Sequence, residues 1–211
     1  MLFDFLGIRS NTKMTESRTK HNLNCINANK TVHCRTPITT GTSVIGIKFD
    51  NGVLISADTL VSYGNLASFR NIDRVFKIND HCIVGAGGEF ADFQFMKRFI
   101  NEKVTEDFCY DDKMELKPKS LYNWITRIMY NRRCRFNPLW VDLVVGGMQD
   151  GEPFLGHVDM RGRSYEDSVI ATGYGKHLAI PLLREQAENQ NVTVDLNVAL
   201  NLVSFTGFCF V

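Results

Sequence analysis

Apolar and β-branched residues crowd two short stretches, Val44-Ile45-Gly46-Ile47-Lys48-Phe49 and Val53-Leu54-Ile55. Both predict strands. The first is read as opening at Gly41-Thr42-Ser43, and the second as running on through Ser56-Ala57-Asp58. Asp50-Asn51-Gly52 between them is expected to supply the positive φ of a tight hairpin. Ser62-Tyr63-Gly64-Asn65 reads as a loop. Val75-Phe76-Lys77-Ile78 and Cys82-Ile83-Val84-Gly85-Ala86-Gly87 flank a turn at Asn79-Asp80 and predict a second hairpin.

After Gly87-Gly88 the apolar period lengthens from two to about 3.6 residues. Phe90, Phe93, Phe95 or Met96, Ile100, Val104 and Phe108 form one helical stripe. Leu121, Ile125, Ile128 and Met129 form another, with Pro118 near its start. That helix closes on Arg132-Arg133-Cys134-Arg135, cations suited to a helix C-terminus and read as a solvated end rather than a nucleic-acid site. Strand character returns over Trp140–Val145, ending at Gly146-Gly147. It resumes over Phe154–Met160 and, past a turn at Arg161-Gly162, at Ser164-Tyr165-Glu166. A third helix is expected from His177 to about Asn189, with Leu178, Ala179 and Leu182 on one side and Pro181 in its first turns, and weak helix over 193–203. Helices set among antiparallel hairpins predict an α+β chain of layered sheets and helices.

Residues 10–40 are polar and unpatterned, so residues 1–37 read as a flexible leader, with order beginning near Ile38. Hydrophobic content of 44%, charge of 22% and a net charge of +1 leave no strong field for nucleic acid or an acidic membrane. No run reaches the roughly 18 apolar residues of a membrane span, and no secretory signal is visible. The six cysteines form no Cys-x-x-Cys pair. His33-Cys34 and His81-Cys82 are adjacent, which is not zinc-ligand spacing, so no metal or cofactor is expected. Reduced thiols fit the cytoplasm or nucleus.

Candidate chemistry centres on the Gly41-Thr42 step and on Asp58, sixteen residues after Thr42. Alone, this pattern fits a self-cleaving threonine nucleophile or an ordinary hairpin. Three further stretches narrow it. They are Ser62–Ile72, Asn137-Pro138-Leu139-Trp140, and Ala171-Thr172-Gly173-Tyr174-Gly175 running into Pro181-Leu182-Leu183-Arg184-Glu185. Taken in order with Gly41–Asp58, they resemble the beta subunits of the 20S proteasome, within the N-terminal-nucleophile hydrolases, and a non-catalytic subtype among them. The resemblance covers about residues 38 to 200.

The resemblance implies a four-layer α-β-β-α sandwich over residues 38–203, incomplete at its C-terminus. In active members a threonine hydroxyl attacks the peptide carbonyl, and its own freed α-amine serves as base, so the chain must be cut just before it. A lysine held by an aspartate tunes the site, and a serine in a glycine turn and a second aspartate complete it. Carried over, the nucleophile falls on Thr42, the first aspartate on Asp58, the lysine on Arg74 and the serine on Tyr174. The second aspartate would lie beyond the matching region. Arginine keeps its proton at any working pH and its planar fork does not replace an amine. Tyr174 sets a ring where space is expected. The implied function is therefore a non-catalytic structural subunit. The constellation Thr42, Asp58, Arg74 and Tyr174 is vestigial, and Asp58–Arg74 becomes a structural ion pair.

Implied partners are the other alpha and beta subunits of a stacked-ring particle, and assembly chaperones. The leader would be trimmed by a neighbouring active subunit near Cys34 and Thr36. Ser204–Val211 departs from the family and reads as a replacement ending. Alternatives are an active threonine-type endopeptidase, or a truncated form that binds assembly partners without entering the ring.

Overall fold

The computed structural model describes residues 37–49, 51–110 and 115–189. The expected leader, the trimming region near Cys34 and Thr36, the helix over 193–203 and the tail at 204–211 lie outside the described residues.

The chain begins with β1 (Thr39–Gly41), β2 (Val44–Phe49) and β3 (Gly52–Ala57). It continues through β4 (Val61–Tyr63), β5 (Leu66–Phe69), β6 (Val75–Asn79) and β7 (Cys82–Glu89). Two helices follow, α1 (Phe90–Cys109) and α2 (Pro118–Cys134). After them come β8 (Val141–Gln149), β9 (Glu152–Val158), β10 (Ser164–Glu166), β11 (Val169–Ala171) and α3 (Gly175–Asn189). All described strand pairs are antiparallel. The larger sheet runs β10-β9-β8-β7-β1-β4-β5, with β6 also on β7, and the smaller runs β11-β2-β3.

Three apolar cores stack these elements into four layers. Phe93, Met96 and Ile100 of α1 and Leu121, Ile125 and Met129 of α2 pack on Val84, Leu143, Val145 and Val158 of the large sheet. Val44, Ile55 and Ala57 meet Val144, Leu155 and Ile170 between the sheets. Ile45, Ile47, Val169 and Ala171 turn the other way, against Ala179 and Leu183 of α3. The order is helix, sheet, sheet, helix, as the α+β sandwich requires. Each fully buried Ile or Leu contributes roughly 1.5–3 kcal/mol. Strands β2 and β11 lie between two apolar layers, which is why Val44-Ile45 and Val169-Ile170-Ala171 are apolar without alternation.

Several local expectations change. The first strand is two strands: β1 lies in the large sheet and β2 in the small one, and Thr42-Ser43 carries the chain between them. The loop at Ser62–Asn65 is a hairpin, with Tyr63 opposite Leu66 and Gly64 at φ 56°. Gly52 has no positive φ; it pairs with Phe49, where a Cβ would lie 2.8 Å from the Phe49 ring. Strand β8 passes through Gly146-Gly147, because a Cβ on Gly146 would press on Val53 of the facing sheet at 2.8 Å.

On α1, Phe108 is 84% exposed, one turn beyond Val104, where the packed stripe ends. On α3 the inner pair is Ala179 and Leu183, while Leu178 and Leu182 face outward. The small Ala179 lets the helix approach the sheet closely. Arg132 is not solvated with its neighbours: it is half-buried, with its guanidinium carbon 5.2 Å from the Phe95 ring centre.

Candidate functional site

Thr42 and Ser43 bridge the two sheets, and the groups of interest gather around that bridge. Gly41 closes β1, opposite Val61 of β4 and Gly88 of β7. At the other end of β1 the Glu89 carboxylate accepts from Ile38 N at 2.6 Å, and from Thr39 N and Thr39 Oγ1. The strand is thus clamped at its entry, and Thr42 is fixed in register at its exit.

Asp58 follows the last residue of β3, and Arg74 precedes the first of β6. The hairpin β2–β3 pairs Val44 with Ala57, which brings Asp58 beside Thr42. The Thr42 hydroxyl lies 3.4 and 3.5 Å from the two Asp58 carboxylate oxygens, the long limit of a hydrogen bond. Asp58 also forms an ion pair with Arg74.

Arg74 is only 2% exposed. Its Nε donates to Asp58 O at 2.9 Å. Its Nη1 donates to Thr42 O at 3.4 Å and Ala86 O at 3.3 Å. Its Nη2 donates to Ser43 O at 3.2 Å and meets the Asp58 carboxylate. A guanidinium carries five N–H donors, and these five acceptors engage all of them. Burial pushes its pKa down to about 10, which leaves it a cation at neutral pH. A fully engaged cation holds the sheet crossover together. It has no free donor for a ligand and no lone pair to take a proton.

The segment after β11 closes the other side. Thr172 N donates to Val44 O at 2.8 Å, and Thr172 Oγ1 accepts from Val44 N at 2.8 Å. Gly173, at φ 55°, carries the backbone past Thr42. Gly175 N, at the start of α3, donates to the buried Ser43 Oγ at 2.9 Å. Tyr174 was expected to set a ring into the site; instead it is 76% exposed, because the Gly173 turn directs it outward. The structure therefore brings Thr42, Asp58 and Arg74 together and leaves Tyr174 at the rim.

Thr172, Ser43 and Glu89 escape sequence reasoning. Their partners lie 128, 132 and 51 residues away in the chain, so no local pattern marks them. The Ala171-Thr172-Gly173-Tyr174-Gly175 stretch did carry a signal, but it pointed to Tyr174 rather than to its neighbour.

A second polar group sits one strand further on. Asp142 of β8 pairs with Gly87, whose Cα faces the Thr42 carbonyl. Burial, and then Asp159, raise the Asp142 carboxyl to about 6, and its carboxylate accepts from Met160 N at 3.3 Å. His157 of β9 is fully buried with its ring 4.9 Å from that of Tyr165. Burial, and then Lys176, push His157 down to about 4. Among the described residues no group of His, Cys, Asp or Glu could hold a metal ion. No described helix is long and apolar enough to cross a membrane.

A family model for proteasome subunits matches residues 38–203, the region that contains every group described above. The chain belongs to the proteasome subunit family. Within that family it is similar to proteasome subunit beta type-4 of Drosophila melanogaster, 57% identical over 157 residues, covering 74% of this chain and 59% of the relative. The beta type-4 subunit of Xenopus laevis is 51% identical over 158 residues, covering 75% and 65%. The beta type-7 subunit of Saccharomyces cerevisiae is 39% identical over 170 residues, covering 78% and 64%. The chain thus spans about three-fifths to two-thirds of the length of these proteasome subunits. The resemblance expected from the four sequence stretches holds at family level, and the subtype it pointed to is beta type-4.

Proposed function

We propose that this chain is a non-catalytic, structural beta subunit of the 20S proteasome core particle and supports ubiquitin-dependent protein degradation through contacts rather than chemistry. The observation that carries this reading is the engagement of Arg74. The position that would hold a proton-sharing lysine holds a permanent cation instead, spent on the backbone of Thr42, Ser43, Asp58 and Ala86. General acid–base catalysis needs a group that titrates near working pH, and Arg74 does not.

Its partners on this reading are the other alpha and beta subunits of the particle, with assembly chaperones acting before them, in cytoplasm and nucleus. The leader is trimmed near Cys34 and Thr36 by an active neighbour, so the Gly41-Thr42 bond stays intact. The bond is also poorly placed for self-cleavage: Gly41 is buried in β1, paired on both sides.

Mass spectrometry of the mature N-terminus tests the proposal. A mature chain that retains Gly41 is expected. A chain beginning at Thr42, together with hydrolysis of fluorogenic peptides by the isolated subunit, would instead make it an active threonine peptidase.

A further inference from the structure

The segment from Lys117 to Arg135, which contains all of α2, carries six cations and no acidic residue. Lys117 pairs with Asp150 at 2.9 Å, Arg132 lies over Phe95, and Arg135 is also engaged within the domain. Lys119, Arg127 and Arg133 remain exposed. The turn between β9 and β10 adds to them. A Cβ on Gly162 would lie 2.7 Å from Tyr130 Cα, so this turn rests directly on α2 and brings the exposed Arg161 beside Tyr130. Among the described residues, Lys119, Arg127, Arg133 and Arg161 form no ion pair.

Two rings stand in this basic field. Tyr130 is 51% exposed, with the Arg133 guanidinium carbon 5.8 Å from its ring centre. Phe136 is 87% exposed and sits just past the helix end at φ 55°, where glycine is the usual residue. The strained backbone is held by Phe136 N donating to Arg133 O at 3.1 Å and Asn137 N to Arg132 O at 3.1 Å. A bulky side chain in the left-handed region is strained, and here it places an aromatic ring in solvent. Exposed Tyr, Phe and Arg side by side are the composition of an interface core.

We propose that the C-terminal half of α2, with the Asp159–Arg163 turn, is a docking surface for an acidic segment of a partner subunit. Arg127, Arg133 and Arg161 take its carboxylates, and Tyr130 and Phe136 take an apolar side chain between them. Charge complementarity selects the partner: in a chain with a net charge of only +1, this surface presents four exposed cations that form no ion pair among the described residues. This inference rests on the assembly reading above.

The test uses the full chain co-expressed with the remaining core-particle subunits, with photoreactive benzoylphenylalanine replacing the exposed Asn131, one turn after Arg127. The expected result is a cross-link to a partner peptide rich in Asp and Glu. Its yield should fall about tenfold in R127E/R133E and persist in R127K/R133K. A cross-link to a peptide without acidic excess, a cross-link to nucleic acid, or a yield indifferent to charge reversal overturns the surface. Co-migration of the chain with the particle on native gels without any cross-link overturns the surface alone. Failure to co-migrate overturns the assembly reading, and the surface with it.

Discussion

Arg74 and Gly41 occupy one space: a Cβ added to Gly41 would lie 2.6 Å from Arg74 Cδ and 2.8 Å from its Nη1. Arg74 cannot withdraw, because its five donors are committed to acceptors on three sides. Glycine before Thr42 is therefore fixed by packing in this chain.

The variant Gly41→Ala should accordingly be destabilised by about 1–3 kcal/mol, the usual cost of overpacking a rigid site. Urea denaturation of the full chain measures this. Unchanged stability would mean that the guanidinium can shift without penalty.

Replacing Arg74 by lysine exchanges five fixed donors for three on a flexible stem. At least two of its five acceptors, the carbonyls of Asp58, Thr42, Ser43 and Ala86 and the Asp58 carboxylate, lose their partner. A loss of about 2–4 kcal/mol is expected, at 1–3 kcal/mol for each buried group left unsatisfied. Peptide hydrolysis should stay at background if, as proposed, the Thr42 amine remains in a peptide bond. A gain of activity in this variant would show that Arg74 alone silences the site.

Thr172→Val keeps shape and removes one acceptor. The Val44 N–H, deep between the sheets, then has no bond, at a cost of about 1–3 kcal/mol. Thr172→Ser should recover most of it. Equal losses in both variants would place the effect in the methyl group instead of the hydroxyl.

Asp142 and His157 give opposite pH dependences. The folded Asp142 carboxyl titrates near 6, above its ordinary value of 3.8, so its contribution is present at acid pH and is lost as pH rises through about 6. Folded His157 titrates near 4, below its ordinary 6.5, so stability is lost as pH falls from 6.5 toward 4. Between about pH 4 and 6 the two slopes oppose. Asp142→Asn removes one of them. Its stability relative to wild type should rise with pH across this window, by an amount of the order of 2 kcal/mol. Denaturant titrations at pH 4.5, 5.5 and 7 follow the difference, and a constant offset would remove Asp142 from the account.

The hairpins and the two long helices were legible because their signals are local: β-branched runs, the turn at Asn79-Asp80, and the 3.6-residue spacing of Phe93, Met96 and Ile100. Thr42, Asp58 and Arg74 were legible through resemblance, since composition gives no reason to link positions 16 and 32 residues apart. Other features were hidden for physical reasons. Strand β11 is three residues long and means nothing until β2 lies beside it. On α3, Leu178 with Leu182 and Ala179 with Leu183 both repeat at i and i+4, and only the sheet decides which pair turns inward. The division of Gly41–Phe49 between two sheets leaves no mark on its polarity.

That division also orders events in time. Strand β2 finds β3 at once but pairs with β11 only when Val169, the partner of Ile47, has been made, 122 positions later in synthesis (169 − 47). At a ribosomal rate of about 5–20 residues per second, the free edge of β2 waits roughly 6–25 s for β11. During translation this nascent hairpin keeps an open strand edge, and a slow codon run between the two strands would lengthen its exposure.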